Sequence, residues 1–347
     1  PLSFAQQRLW LIDQLEPGSS TYNIPLALLL QGPLEVDALQ GAFTSLVERH
    51  ESLRTTFVTR DGEPRQHIHA PKPMLVTVRE LESLSEDTKL VEARRLVSEE
   101  ASRPFDLEHG PIFRVLLLRL DAQRHVLVGT VHHIASDGWS TGILLRELAE
   151  LYSAHATRQP PRLEALPVQY ADFAAWQRSW LRDDALEQQL SYWRQQLSGA
   201  PPFLELSTDR PRPPVQSNRG ASFPVRLPPS VNERLLAFCQ REGVTPFMAL
   251  LAVWQLLLSR YSGQDDLSVG SPIAGRTRAE TEGLIGFFVN TLVLRTQLQP
   301  GLRFRELLAQ VKRTTLGAYE HQDVPFEKLV EELNPHRTLS HSPLFQV

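Results

Sequence analysis

The sequence predicts a mixed α/β protein built in two halves of similar size. Three observations predict it. Helical and strand periodicities alternate along the chain, Pro-rich stretches flank a helical segment near its middle, and the alternation then resumes. The 347 residues are 41% hydrophobic and 22% charged, enough for a substantial core under a soluble, globular surface.

Residues 1–15 space Leu2, Ala5, Leu9 and Ile12 along one helical face. Residues 22–31 form an apolar run closed by Gly32-Pro33, a strand signal. Asp37 can cap a helix with Leu39, Phe43, Leu46 and Val47 on one face. Two strand patterns, 53–59 and 64–69, flank Asp61-Gly62, a hairpin turn. His67 and His69 share a strand face, but no third ligand accompanies them, so an exposed face is a simpler reading than a metal pair. Residues 88–102 read as an amphipathic helix, and 111–120 and 124–133 as strands. The second strand turns at Asp137-Gly138 into a helix over about 140–156, with Ser140 as N-cap and Leu144, Leu148 and Leu151 on one face.

The chain is Pro-rich at Pro160-Pro161 and again over 201–214. Between them a helical stretch carries Phe173, Trp176, Trp180, Leu190, Trp193 and Leu197, read as a bridge between lobes. The first lobe is expected over 1–177 and the second over 178–347, with the bridging helix at its start. In the second half Ser230 and Glu233 match a capping box, Gly243 ends that helix, Thr245-Pro246 opens the next and Gly263 ends it. Residues 247–258 are the most apolar, fall short of the roughly 20 needed to span a bilayer, and read as a buried helix. Strands follow over 267–273, leading to Gly275-Arg276, and over 288–294; helices follow over 302–320 and 326–333.

The net charge is −4 and the pI about 6.3, with no basic run, which argues against nucleic acid as a partner. The single cysteine, Cys239, excludes an intrachain disulfide and fits a reducing, cytoplasmic setting; in its helical run it reads as a small buried hydrophobe. No basic-then-apolar leader opens the sequence, and no membrane contact is expected. The missing initiator Met and the strand-like Phe345-Gln346-Val347 ending suggest a piece of a longer polypeptide.

The chemistry concentrates at His132-His133-Ile134-Ala135-Ser136-Asp137-Gly138. On a continuing strand, His132 and His133 would point to opposite faces, which works against both binding one metal. A single imidazole at a strand end, in a polar turn, suits proton transfer. Asp137 could orient that imidazole, or pair with an arginine and hold the turn. Gly138 would permit a backbone shape closed to other residues and present N–H groups at a helix start, where an oxyanion could be met. Ser136 invites a Ser-His-Asp reading, but the Gly-x-Ser-x-Gly elbow is absent. Spacing alone leaves a catalytic histidine and a capped turn with an incidental His pair equally open.

Residues 131–140 (VHHIASDGWS) resemble the HHxxxDG motif of the condensation domains of nonribosomal peptide synthetases. Six further segments match that family in order: 3–11 (SFAQQRLWL), 49–57 (RHESLRTTF), 170–176 (YADFAAW), 285–295 (IGFFVNTLVLR), 321–327 (HQDVPFE) and 337–346 (RTLSHSPLFQ). The resemblance implies two chloramphenicol-acetyltransferase-like lobes in a V-shaped pseudo-dimer, with the active site in a tunnel between them. It implies upstream and downstream peptidyl carrier proteins as partners, an adjacent adenylation domain, and substrates arriving on phosphopantetheine arms, with no cofactor or metal bound by the domain itself. The acceptor amine would attack the donor thioester and extend the peptide by one residue.

Carried over by position, His133 is the catalytic histidine, His132 and Asp137 shape the site, and Gly138 lies at the turn beside the thioester. Arg276 pairs with Asp137, Arg54 is a structural arginine, and Asn290 lies in a segment approaching the cleft. Ser136-Asp137, residues 289–295 and the HQDVPFE segment resemble the subtype joining an L-donor to an L-acceptor. The family continues beyond the PLFQ segment, so the second lobe is expected to be incomplete. A free-standing acyltransferase of the same superfamily is an alternative. So is a non-catalytic docking module, although that reading expects a broken HHxxxDG and the motif is intact.

Overall fold

The apolar stretch over 23–31 pairs with 124–132, as the edge strand and its inner neighbour of a four-stranded sheet. In the computed structural model, which describes residues 1–216, 220–333 and 340–347, the chain divides into two units. One comprises Pro1–Trp180 and Ala274–Val289, the other Leu181–Ile273 and Asn290–Val347. The sequence predicts 178–347 as one uninterrupted lobe. Ala274–Val289 belongs with the first unit instead, because Ile285 and Phe287 bury their side chains in its core.

The first unit contains α1 (Phe4–Leu15), β1 (Asn23–Gln31), α2 (Val36–Arg49), β2 (Thr55–Arg60), β3 (Glu63–Ile68) and β4 (Val76–Glu80). It continues with α3 (Glu86–Ser102), β5 (Phe113–Arg119), β6 (Arg124–His132), α4 (Gly138–Thr157) and α5 (Tyr170–Trp180). The main sheet has the order β1-β6-β5-β4, antiparallel except between β4 and β5. Period-two alternation sends Phe113, Leu117, Leu127 and Val131 into a core with Phe43 and Leu46 of α2 and Ile143 and Leu148 of α4. Leu116, Leu118 and Val128 face the other way, onto Ala93 of α3. Helices on both faces account for the apolar run of residues 115–118 in β5. The β2–β3 hairpin turns at Asp61 and Gly62, both with positive φ, as the Asp-Gly signal predicts.

The second unit contains α6 (Asp183–Leu197), α7 (Pro229–Glu242), α8 (Pro246–Ser262) and β7 (Asp266–Ile273). After α9 (Ala279–Glu282), in the segment returned to the first unit, it resumes with β8 (Asn290–Gln297), α10 (Phe304–Glu320) and α11 (Phe326–Leu333). β7 and β8 pair antiparallel. Trp193, Leu251, Val293 and Val311 anchor its core.

Four local readings change. Helix α4 is capped by Asp137, whose side chain accepts from the Ser140 amide; Ser140 lies inside the first turn. Helix α7 starts at Pro229, so Ser230 is helical and no side chain caps it. Strand β8 starts at Asn290, because residues 285–288 bond to side chains of the first unit rather than to a strand. Helix α8 buries only one face: Met248, Leu251 and Leu258 are covered, while Leu250, Val253 and Trp254 are exposed. Residues 337–339 of the RTLSHSPLFQ segment lie outside the described residues.

Gly275 enters the returned segment with φ +64, and a Cβ there would collide with the Phe288 carbonyl. Gly275→Ala is therefore expected to cost about 2 kcal/mol or more, combining left-handed strain with a backbone displacement. A lower urea midpoint checks this, and an unchanged midpoint contradicts it.

Candidate active site

Strand β6 ends at His132, and the next three residues form a 3-10 turn, so His133 stands just past the strand. Register sets this point. The pairing of β1 with β6 closes at Asn23 and His132, and the His133 amide then donates to the Tyr22 carbonyl at 2.8 Å. The two imidazoles have different surroundings. His132 is 3% exposed, lies edge-on to Phe105 with ring centroids 5.9 Å apart, and its Nδ1 accepts from the Ile134 amide at 3.1 Å. Burial, reinforced by the neighbouring His133, pulls its pKa down to about 4, so it is neutral at pH 7.

His133 is only partly buried. Its Nδ1 lies 2.8 Å from the Ser136 carbonyl oxygen. A carbonyl can only accept, so Nδ1 carries the proton, and in the neutral ring Nε2 presents a lone pair. The imidazole also meets the Phe287 ring edge-on, with centroids 4.7 Å apart.

Asp137 is fully buried, and its carboxylate is occupied away from the imidazole. Oδ1 accepts from the Ser140 amide (2.8 Å), the Ser140 hydroxyl (2.7 Å) and Arg276 Nη2 (3.3 Å). Oδ2 accepts from the Phe288 amide at 3.0 Å. Asp137 thus pairs with an arginine and holds the turn. The Ser136 hydroxyl is buried and has no hydrogen-bond partner, and His133 bonds its carbonyl instead, so no Ser-His-Asp relay exists. Arg276 also donates to the Leu284 carbonyl (2.8 Å), to the Thr281 carbonyl and to Ser140 Oγ (2.9 Å), and its guanidinium stacks on the Phe288 ring. Burial lowers its pKa, and the Asp137 charge opposes that shift.

Gly138 departs from expectation. It is exposed, its φ lies outside the left-handed region, and a Cβ there would meet no protein atom. The backbone does not require glycine at this position; what glycine leaves is open space at the start of α4.

The structure brings His132, His133, Asp137, Gly138 and Arg276 together and leaves two predicted residues elsewhere. Arg54 donates to the His69 and Glu48 carbonyls and pairs with Glu51, tying the hairpin to the end of α2. Asn290, in the second unit, donates to the Gln322 and Val324 carbonyls and accepts from the Thr291 and Phe326 amides, holding the HQDVPFE loop. His67 and His69 stack edge-on, and among the described residues no group of three His, Cys, Asp or Glu side chains could hold a metal ion. No single helix among them is long and apolar enough to cross a membrane.

Sequence reasoning missed the supports behind the site. Buried Glu147 of α4 accepts from His50 Nε2 (2.7 Å) and Arg49 Nε (3.0 Å). Burial would raise its pKa, but the His50 hydrogen bond and the charge and hydrogen bond of Arg49 hold it below the usual value. Its signal was legible: Ile143, Glu147 and Leu151 fall at i, i+4 and i+8, a carboxylate inside an apolar stripe. Fully buried Tyr170 donates to the Phe287 carbonyl and takes the Ser3 hydroxyl as its own donor, and burial raises its pKa.

The fold and this histidine turn define a class. The sequence profile of the condensation domain family matches residues 1–347, and the chain belongs to that family. It is 54% identical over its full length to a polypeptide of the linear gramicidin synthase of Brevibacillus parabrevis, of which it spans only 7%. The X-domain from teicoplanin biosynthesis superposes with a TM-score of 0.88 at 32% identity, covering all of this chain and 76% of the other; a complex of that domain with OxyB is also solved. The first condensation domain of the CDA synthetase matches with a TM-score of 0.78 at 25% identity, covering 96% of this chain and 78% of the other. The mixed α/β fold is that of these condensation domains.

Two outcomes follow from the buried charges. Asp137→Ala leaves the Arg276 guanidinium buried without its partner and strands the Phe288 amide, an expected loss of about 3–5 kcal/mol. It should lower soluble yield and the denaturation midpoint together, and a fully stable variant contradicts the pairing. For His132 the folded pKa lies below the unfolded value of about 6.5. As pH falls from 6.5 toward 4, the unfolded chain gains a proton that the folded chain refuses, so stability falls across that window by roughly 3 kcal/mol. Urea midpoints at pH 7 and 4.5 should differ less in His132→Asn than in wild type, and an equal difference overturns the assignment.

Proposed function

We propose that the chain catalyses peptide-bond formation in nonribosomal peptide synthesis. The amine of a carrier-bound aminoacyl group attacks an upstream carrier-bound aminoacyl or peptidyl thioester. The observation that carries this reading is the His133 hydrogen bond to the Ser136 carbonyl, which commits Nδ1 as donor and leaves Nε2 as acceptor. In the reaction, Nε2 accepts an N–H of the incoming amine and turns the nitrogen lone pair toward the thioester carbonyl. The amide C–N bond forms, the C–S bond breaks, and the phosphopantetheine sulfur leaves as thiol once protonated. General-base help of this kind is worth ~10²- to 10⁴-fold. Tethering both substrates on carrier arms supplies a further entropic advantage.

In this reading Asp137 and Arg276 are structural partners that fix the turn, and His132 stays neutral behind it. The space at Gly138 admits the thioester to the start of α4, where the Gly138 and Trp139 amides, ahead of the capped Ser140 amide, would meet the developing oxyanion. The subtype we propose is L-donor to L-acceptor, on the sequence of residues 136–137, 289–295 and 321–327. The partners are an upstream and a downstream peptidyl carrier protein and a neighbouring adenylation domain, in the cytoplasm.

A docking role has one observation in its favour: the structurally similar X-domain forms a complex with OxyB. One experiment separates the two. With both carrier proteins loaded, mass spectrometry should detect dipeptide from the wild-type chain, while His133→Ala reduces it by ~10²-fold or more with the fold intact. Near-normal turnover by that variant removes His133 from the reaction, and no product from wild type favours docking.

A further inference from the structure

His133 is fixed on one side by its own turn. On the other side it rests on the ring of Phe287, a residue distant in sequence. Phe287 is 8% exposed and belongs to the same core as Ile134 and Ala135 of the histidine turn. It has little freedom, because side chains of the first unit bond the backbone on both sides of it. The Ile285 amide donates to His50 Nδ1 at 3.3 Å, and the Ser52 hydroxyl donates to the Ile285 carbonyl at 2.7 Å. The Gly286 amide donates to Ser140 Oγ at 3.1 Å, and the same hydroxyl divides its proton between Asp137 Oδ1 and the Gly286 carbonyl. Tyr170 donates to the Phe287 carbonyl at 2.5 Å, and the Phe288 amide donates to Asp137 Oδ2 at 3.0 Å.

His50 is itself aimed from behind. Its Nδ1 accepts from Ile285, so its Nε2 carries the proton donated to Glu147. Gly286 packs so closely on Tyr170 and Phe288 that a Cβ there would collide with both rings. All of these bonds hold the backbone at or next to Phe287. Together they fix where its ring stands.

We propose that Phe287 is a positioning residue for His133: its ring is the wall that stops the imidazole from turning away from the Ser136 carbonyl, and the bonds to residues 285–288 set that wall. The proposal rests on His133 being the reacting imidazole. Removing the wall allows the ring to rotate, break the Nδ1–H bond and exchange tautomers, so that Nε2 is an acceptor for only part of the time. The change alters the state of the reacting ring and removes no polar or charged group that could bind substrate, so the effect belongs to kcat rather than KM. Misplacement of a reacting group costs one to two orders of magnitude in rate.

The test uses the chain within its natural polypeptide, labelled with ¹⁵N-histidine, with the His133 signals assigned by their loss in His133→Ala. Wild type should show one protonated and one pyridine-like His133 nitrogen. Phe287→Ala should show averaged signals and a kcat for dipeptide formation about tenfold lower, with KM within about twofold. Tyr170→Phe keeps the ring but frees its carbonyl, and should shift both readouts the same way by less. Phe287→Leu, which refills the space, should restore most of the wild-type signal and rate. A folded Phe287→Ala with wild-type nitrogen signals and kcat overturns the proposal. If Phe287→Ala does not fold, wild-type signals and kcat in Tyr170→Phe overturn it. Averaged nitrogens in Phe287→Ala, beside a wild type that makes no dipeptide, support the contact and refute the reaction.

Discussion

The carboxylate of Asp137 is the joint on which the site depends. It caps α4, anchors the buried Arg276, and accepts the amide of Phe288, 151 residues away in sequence. A buried carboxylate is costly unless its lone pairs are met, and here donors reach both oxygens. Satisfying that one charge draws Ala274–Val289 into the first unit. The HHxxxDG turn and the IGFFVNT segment are therefore halves of one construction.

This arrangement divides labour within a short motif. Asp137 gives up any contact with the imidazole and works on the backbone. His132 is buried, neutral and accepts from the turn. His133 alone is left partly open, with its proton held on Nδ1 by a carbonyl. A carbonyl fixes the tautomer without bringing the negative charge of a carboxylate against the ring. Gly138 then contributes by what it lacks.

The sheet, the hairpin and most helices were legible because they follow from periodicity and turn chemistry: Asp61-Gly62 turns as that pair does, and the apolar run of residues 115–118 marks β5, a strand covered by helices on both faces. The residue types of the turn were also legible, but not their partners. Spacing could not show that Asp137 caps α4 in place of Ser140, since either fits the position. It could not show that Ile285 and Phe287 join the first unit, because a short apolar stretch ahead of a strand carries no periodicity that says which core it enters. Glu147 was the one support with a visible signal, a carboxylate on a buried helical face. Its partner His50 was hidden in a segment matched only as a motif. Gly138 shows the opposite error: glycine suggested a strained backbone where none exists.

The central claim is that the Asp137 carboxylate holds residues 285–288 against the histidine turn. Amide hydrogen exchange in Asp137→Asn, which keeps the shape and removes the charge, tests it most directly. The account predicts that the Gly286 and Phe288 amides exchange at least tenfold faster than in wild type, equivalent to about 1.4 kcal/mol of lost local protection, while amides of β5 and β6 keep theirs. Unchanged protection at Gly286 and Phe288 in the folded variant would contradict it.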